Sequence, residues 1–200
     1  MIITLANAKG GVAKTTSAIY IAAAHLLRTG RLPVVLDADP QASASLWADL
    51  AEQQGEPLGF DVVPANPTTL ARLRRAGAAG LYIVDAPPQG PVLKAALDAA
   101  DLVIVPASDG PLDLQQAWLT ISSLPASTPA LVLLARAEPS TTCCRTVIES
   151  LAQAHTPRFD TVIRKRQDIK RCMGRRPRKL WEYAALYNDE ILPLLKEAAR

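Results

Sequence analysis

Short apolar runs recur along the chain, and the stretches between them carry apolar residues at helical spacing. Ile2-Ile3-Thr4-Leu5-Ala6 is the first such run, and Ser17 to Arg28 is Ala- and Leu-rich without Gly or Pro, so the chain opens as strand, loop, helix. Gly30 closes that helical pattern, and Leu32 to Leu36 reads as a second buried strand with Pro33 near its start. Gln41 to Gln54 is a helix broken by Gly55-Glu56-Pro57, Phe60 to Val63 is a short strand, and Thr68 to Arg75 is a helix. Arg72, Arg74 and Arg75 form a solvated face of it. Further strands are predicted at Leu81–Val84, Asp101–Pro106, Ala130–Leu134 and Phe159–Ile163. Helices are predicted at Glu138–Ala154 and Asn188–Arg200. Pro193 and three acids in the last helix suit packing on a sheet better than a membrane surface. Strands alternating with helices of this length predict an α/β fold, a mostly parallel twisted sheet with helices on both faces. Such folds bind ligands at the carboxyl ends of their strands.

The polar residues with the clearest chemistry fall at those ends. Lys9-Gly10-Gly11-Val12-Ala13-Lys14-Thr15-Thr16 lies between the first strand and helix, the layout of a phosphate-binding loop. Glycines let the backbone approach phosphates, and the loop and helix N-terminus present N–H groups and positive potential to them. Lys14 supplies countercharge and the Thr15 hydroxyl a Mg²⁺ ligand. Asp37 and Asp39 follow the second strand two residues apart, so they point to the same side, where they could hold a metal's water shell and orient an attacking water. The plain alternative is that Asp39-Pro40 caps the next helix. Asp85 closes the Leu81–Val84 run, the position of a carboxylate that holds Mg²⁺ through water.

The loop departs from G-x-x-x-x-G-K-[ST]: Ala13 replaces the second glycine and Lys9 precedes the first pair. This deviant Walker A form resembles the ParA/MinD family of dimeric P-loop ATPases, and more closely the short ParA-type proteins that position plasmids, chromosomes or protein assemblies. The resemblance implies ATP and Mg²⁺ as cofactors and a homodimer formed on ATP binding. It implies that Lys9 crosses the dimer interface to the partner's nucleotide. By the same resemblance Asp39 would position the hydrolytic water, Asp37 would lie near the metal, and Ala86 to Gly90 would sense the γ-phosphate. Pro111-Leu112-Asp113 matches a segment at the nucleotide base and dimer interface. Ala135-Arg136 lacks the asparagine that many relatives use to read adenine.

Composition sharpens this in one place. Two hundred residues, 49% hydrophobic, suit a single domain. No apolar stretch is long enough to span a membrane, Met1 leads straight into the first strand, and three cysteines make an odd count without metal-ligand spacing. A reduced, cytoplasmic protein is expected. The net charge is +3, but nine Lys/Arg and one acid between Arg164 and Lys179 give that segment +8 and leave −5 elsewhere. Arg164, Lys165, Arg166, Lys170, Arg171, Arg175, Arg176, Arg178 and Lys179, without interleaved aromatics, imply phosphate contacts rather than base reading. The family resemblance implies non-specific nucleoid DNA as their partner and a ParB-like or other cargo adaptor that stimulates a slow ATPase. Two other readings fit the same loop. One is a MinD-like ATPase at an anionic membrane surface; the other is a small-molecule ligase of the dethiobiotin synthetase type.

Overall fold

The computed structural model describes residues 1–125 and 127–197. Among the described residues seven strands, β1 (Ile2–Leu5), β2 (Val34–Asp37), β3 (Asp61–Pro64), β4 (Tyr82–Asp85), β5 (Leu102–Ala107), β6 (Ala130–Ala137) and β7 (Ile163–Arg164), form one sheet in the order β3-β2-β4-β1-β5-β6-β7. Every pairing is parallel. Helices α1 (Lys14–Thr29), α2 (Ser43–Gln53), α3 (Pro67–Ala76), α4 (Pro91–Ala99), α5 (Pro111–Ser122) and α6 (Thr142–Gln153) make the crossovers. A short α7 (Gln167–Arg171) follows β7, and the chain ends in α8 (Glu182–Ala185), a π-helical stretch (Leu186–Ile191) and α9 (Leu192–Glu197).

The period-two alternation of the strands divides the core. Ile3, Leu5, Val35 and Ile83 face a cluster with α1, α2 and the C-terminal helices, including Ile19, Tyr20, Trp47, Tyr183 and Ile191. Ile2, Leu36, Val84 and Val103 face α3 to α6 through Leu70, Leu97, Leu114 and Leu151. Both faces of the sheet are therefore covered, which is why the strands read as nearly continuous apolar runs. β2 and β3 lie on one side of β1, and β5 to β7 on the other, so the chain changes direction around β1. That is the switch point where such sheets open a crevice at their carboxyl ends. No helix among the described residues is long and apolar enough to cross a membrane.

Three predicted elements differ, the helix expected from Glu138 starting only at Thr142, after a turn capped by Thr141. The last strand is only Ile163–Arg164; Arg158 makes an isolated bridge to Val132, and the N–H groups of Asp160 and Thr161 go to the Glu190 carboxylate at 2.7 and 3.0 Å. A side chain takes the donors that a ladder would use. The last helix begins at Glu182 and widens to a π form over Leu186–Ile191. The widening covers Asp189, whose carbonyl an unaltered α-helix would set against the Pro193 ring. The predicted end of that helix, residues 198–200, lies outside the described residues. Leu192, Leu194 and Leu195 pack on the core, as expected of a sheet-covering helix.

Candidate nucleotide site and basic segment

The loop after β1 is organised from below by Asn7, fully buried, whose Nδ2 donates to the Pro106 carbonyl at 2.8 Å while its Oδ1 accepts from the Lys9 N–H at 2.8 Å. Gly11 and Ala13 both take left-handed backbone, with φ 75° and 72°. Ala13 thus adopts, as the N-cap of α1, a conformation that suits glycine. The turn delivers Lys14 and Thr15 into the first turn of α1. Lys14 is 7% exposed and its ammonium donates to the carbonyls of Lys9 (3.0 Å) and Asn7 (3.3 Å). Burial lowers its pKa, opposed by the charges of Asp85 and Asp39. Gly10, Gly11, Ala13, Lys14, Thr15 and Thr16 line a cavity of about 650 Å³ that reaches Trp47, Ile163–Gln167, Ile169 and Tyr183. Val12 instead borders an adjoining cavity of about 430 Å³ with Lys9.

The carboxylates converge because the parallel register sets Asp37 opposite Asp85 and Asp85 opposite Leu5, directly before the loop. The Thr15 hydroxyl donates to Asp85 Oδ2 at 2.6 Å. Asp37 Oδ2 accepts from both the N–H and the hydroxyl of Ser45, each at 2.7 Å, a contact the sequence reading did not single out. The second oxygen of each aspartate, Oδ1, is buried with no hydrogen-bond partner among the described residues. Burial, with Asp37 and Asp39 close by, pushes the Asp85 carboxyl up to about 7 despite the Thr15 hydroxyl and the Lys14 charge. A hydroxyl beside two buried carboxylates with free oxygens is a donor set for a small hard dication such as Mg²⁺. Asp39 lies on the cavity wall, with Oδ1 accepting the Gln41 N–H at 2.9 Å.

Lys9 and Pro111 are placed differently from these residues. The Lys9 ammonium turns inward and pairs with Asp113, which also accepts from the Ser108 hydroxyl. Burial would raise the Asp113 pKa, but the bonds from Lys9 and Ser108 outweigh it and hold the carboxyl below its ordinary value. Pro111 is an exposed first residue of α5 and borders neither cavity. Arg136, near the end of β6, has a place that its sequence context does not show. Its guanidinium donates to the Gly11 carbonyl, and it lines both cavities.

The basic segment is not one uniform patch. Arg164, Lys165, Arg166 and Lys170 line the large cavity together with the glycine loop. Arg166 is held by both oxygens of Glu182, with Nε at 3.2 and 3.1 Å, and its guanidinium lies 4.2 Å from the Trp181 ring centroid. Lys179 approaches the same ring at 3.7 Å. Lys165 pairs with Glu138 at 3.1 Å and Arg178 with Glu56 at 2.9 Å. Beyond the left-handed Gly174, Arg176 and Arg178 rim a separate groove with Leu26, Leu27 and Leu58. Lys170, Arg171, Arg175 and Arg176 are exposed. The aromatic missing inside the segment is thus supplied from just beyond it by Trp181.

Residues 3–177 match the CbiA family model, the CobQ/CobB/MinD/ParA nucleotide binding domain. Maintenance of carboxysome distribution protein A of Gloeobacter kilaueensis is 41% identical over 143 residues, 69% of this chain and 64% of that protein, so the chain spans less than two thirds of this relative. Among solved structures, a plasmid partition protein of Borrelia burgdorferi bound to AMPPNP superposes with a TM-score of 0.75 at 23% identity, covering 98% of each chain. Cobyrinic acid a,c-diamide synthase of Mycobacterium smegmatis, with a bound ATP analogue and magnesium, gives 0.71 at 25% identity over 98% of this chain and 96% of that one. A match running from the first strand to the basic segment, on a seven-stranded parallel sheet with this loop at its centre, places the chain in the CobQ/CobB/MinD/ParA nucleotide binding domain family.

Proposed function

We propose that this protein is a Mg²⁺-dependent ParA-type ATPase that positions a cargo. In this reading ATP closes a homodimer, the dimer holds nucleoid DNA without sequence preference, and a ParB-like or other cargo adaptor stimulates hydrolysis and release. The observation that carries the enzymatic part is the Thr15–Asp85–Asp37 cluster under the glycine loop, with one unpartnered buried oxygen on each aspartate. Thr15, Asp37 and Asp85 would hold Mg²⁺ there, and it would supply countercharge to the bound phosphates. Lys14 exchanges its two loop carbonyls for phosphate oxygens, and the loop N–H groups orient the triphosphate. Asp39, on the cavity wall, orients the attacking water. Lys9 must leave Asp113 before it can reach a nucleotide on a second copy.

The likeness to a carboxysome distribution protein supports the positioning role, and a cytoplasmic, nucleoid-associated location belongs to the same proposal. The exposed cations of 164–179 support contact with phosphodiesters. A second reading, an ATP-dependent small-molecule ligase, draws on the likeness to an amide-forming synthase and on the extent of the large cavity.

Binding to non-specific duplex DNA with no nucleotide, ADP and ATP–Mg²⁺, repeated across a salt series, tests the proposal. Binding is expected only with ATP, with a log–log salt slope of about −0.9 per neutralised phosphate. Indifference to DNA in every state would remove the positioning reading. Binding to anionic vesicles instead would favour a MinD-like protein, and turnover dependent on a small carboxylate or amine would favour the ligase.

A further inference from the structure

The groove rimmed by Arg176 and Arg178 lies far from the nucleotide site. One wall is the last part of α1, where Ala23, Leu26 and Leu27 fall on one helical face. At about 1.5 Å per residue, Leu27 stands about 20 Å along that helix from Lys14 in the glycine loop. A molecule seated in the groove leaves the crevice at the strand ends open.

Leu58 and Leu180, both buried, form the floor, and Leu27, 76% exposed, forms an unpacked edge. The space between them is about 360 Å³. The two arginines are positioned before anything binds. Trp47 and Gln54 hold the carbonyls of Arg175 and Gly174 just ahead of them, and the buried Pro177 fixes the backbone between them. The Arg176 guanidinium lies against Gly59 beside Leu26: a Cβ added at Gly59 would meet Leu26 Cδ2 at 3.3 Å and Arg176 Nη2 at 3.4 Å. Arg178 reaches Glu56 at 2.9 Å, whereas Arg176 makes no ion pair among the described residues. No acidic or aromatic side chain is among the described residues that line the groove.

Recessed leucines accept side chains that reach inward. A flat lipid surface would meet only Leu27, and a nucleic acid would find no aromatic on which to stack a base. An apolar floor with an arginine rim has the make-up of a protein-binding site. Guanidiniums are donors only, and carboxylates are their strongest partners in a protein. We propose that this groove docks a short acidic segment of a partner protein, which sets aliphatic side chains between α1 and Leu180 and carboxylates on Arg176 and Arg178. The rim is preorganised, so little ordering of this chain opposes binding. Docking is independent of what the glycine loop binds, and it gives Arg176 and Arg178 a role apart from the cations at the large cavity.

Panning a phage-displayed library of random short peptides on the full chain, with Leu27→Glu as the counter-selection, tests this. Leu27 is exposed, so the substitution leaves the core intact while placing a carboxylate in the groove. Clones kept by the natural chain and not by Leu27→Glu are expected to carry clustered Asp or Glu beside Leu, Ile or Val. A synthetic peptide of such a sequence should bind Arg176→Glu at least about tenfold more weakly than the natural chain, and its counterpart with Lys for each acid should bind neither. Absence of clones that separate the two proteins, selected clones without acids, or an affinity unmoved by a folded Arg176→Glu would overturn the inference. Anionic vesicles or a DNA duplex that bind the natural chain and are lost on Leu27→Glu would give the groove to lipid or nucleic acid, and would overturn it equally.

Discussion

Asp39 shows how a residue's role depends on where its neighbours end. Asp-Pro before a helical run suggests a cap, yet α2 starts at Ser43 with Ala42, φ 51°, as its N-cap and no side-chain cap bond. Asp39 instead closes a small turn onto the Gln41 N–H and keeps a face toward the cavity. Asp39→Ala is therefore expected to retain ATP affinity and to slow hydrolysis by about 10²-fold, the usual scale for losing a group that handles the nucleophile's proton. Nucleotide titration combined with single-turnover hydrolysis separates the two; unchanged turnover would take Asp39 out of the chemistry. Ala13 is a second local case. Left-handed backbone costs an alanine about 1–2 kcal/mol over a glycine, and the loop keeps that conformation because α1 and Asn7 anchor its two ends. Asn7 is the functional-site residue that a reading of motifs passes over, although a lone amide closing an apolar strand before a glycine loop was the available signal.

At the scale of elements, α2 is joined to the turn that divides the basic segment. Trp47 Nε1 donates to the Arg175 carbonyl at 2.8 Å and Gln54 Nε2 to the Gly174 carbonyl at 3.0 Å. Gly174 is doubly constrained, with φ 73° and a position where an added Cβ would lie 2.8 Å from Leu50 Cβ. Gly174→Ala should cost about 3 kcal/mol, from backbone strain and overpacking together. Gly30→Ala, at a similar φ of 68° but in open space, should cost only about 1 kcal/mol. Urea unfolding of both variants checks this, and equal losses would show that the contact with Leu50 is unimportant. The same turn explains why nine cations close in sequence do not form one surface: α7 and the residues before it stay at the cavity, and the chain then crosses to α2 and the end of α1.

In the molecule as a whole, the C-terminal helices are fastened to α1 by buried polar contacts, Ser17 to Tyr183 at 2.9 Å and His25 Nδ1 to the Tyr187 hydroxyl at 2.6 Å. Burial, with Arg31 nearby, lowers the His25 pKa, so the folded protein holds this ring neutral. The unfolded chain binds a proton more readily, and the stabilisation present above the ordinary value of 6.5 is lost as pH falls below it. Thermal unfolding from pH 8 to 5 should thus show a steeper loss in the natural chain than in His25→Asn. Asp85, raised toward 7, acts in the opposite sense in both proteins, so the difference between them is the quantity to read. Parallel curves would remove His25 from the balance. By itself, the sequence determined the rhythm of strands and helices, the phosphate-type loop and the aspartates at strand ends, because each depends on neighbours a few residues away. Phe159–Ile163 misled because its apolar pattern cannot reveal that Glu190 takes two of its N–H groups. Only the tertiary structure decided that Lys9 rests on Asp113, that Arg136 lies over Gly11, and that Arg166 is chelated by Glu182 above Trp181. Those contacts follow from the order in which strands lie side by side, and local periodicity carries no record of that order.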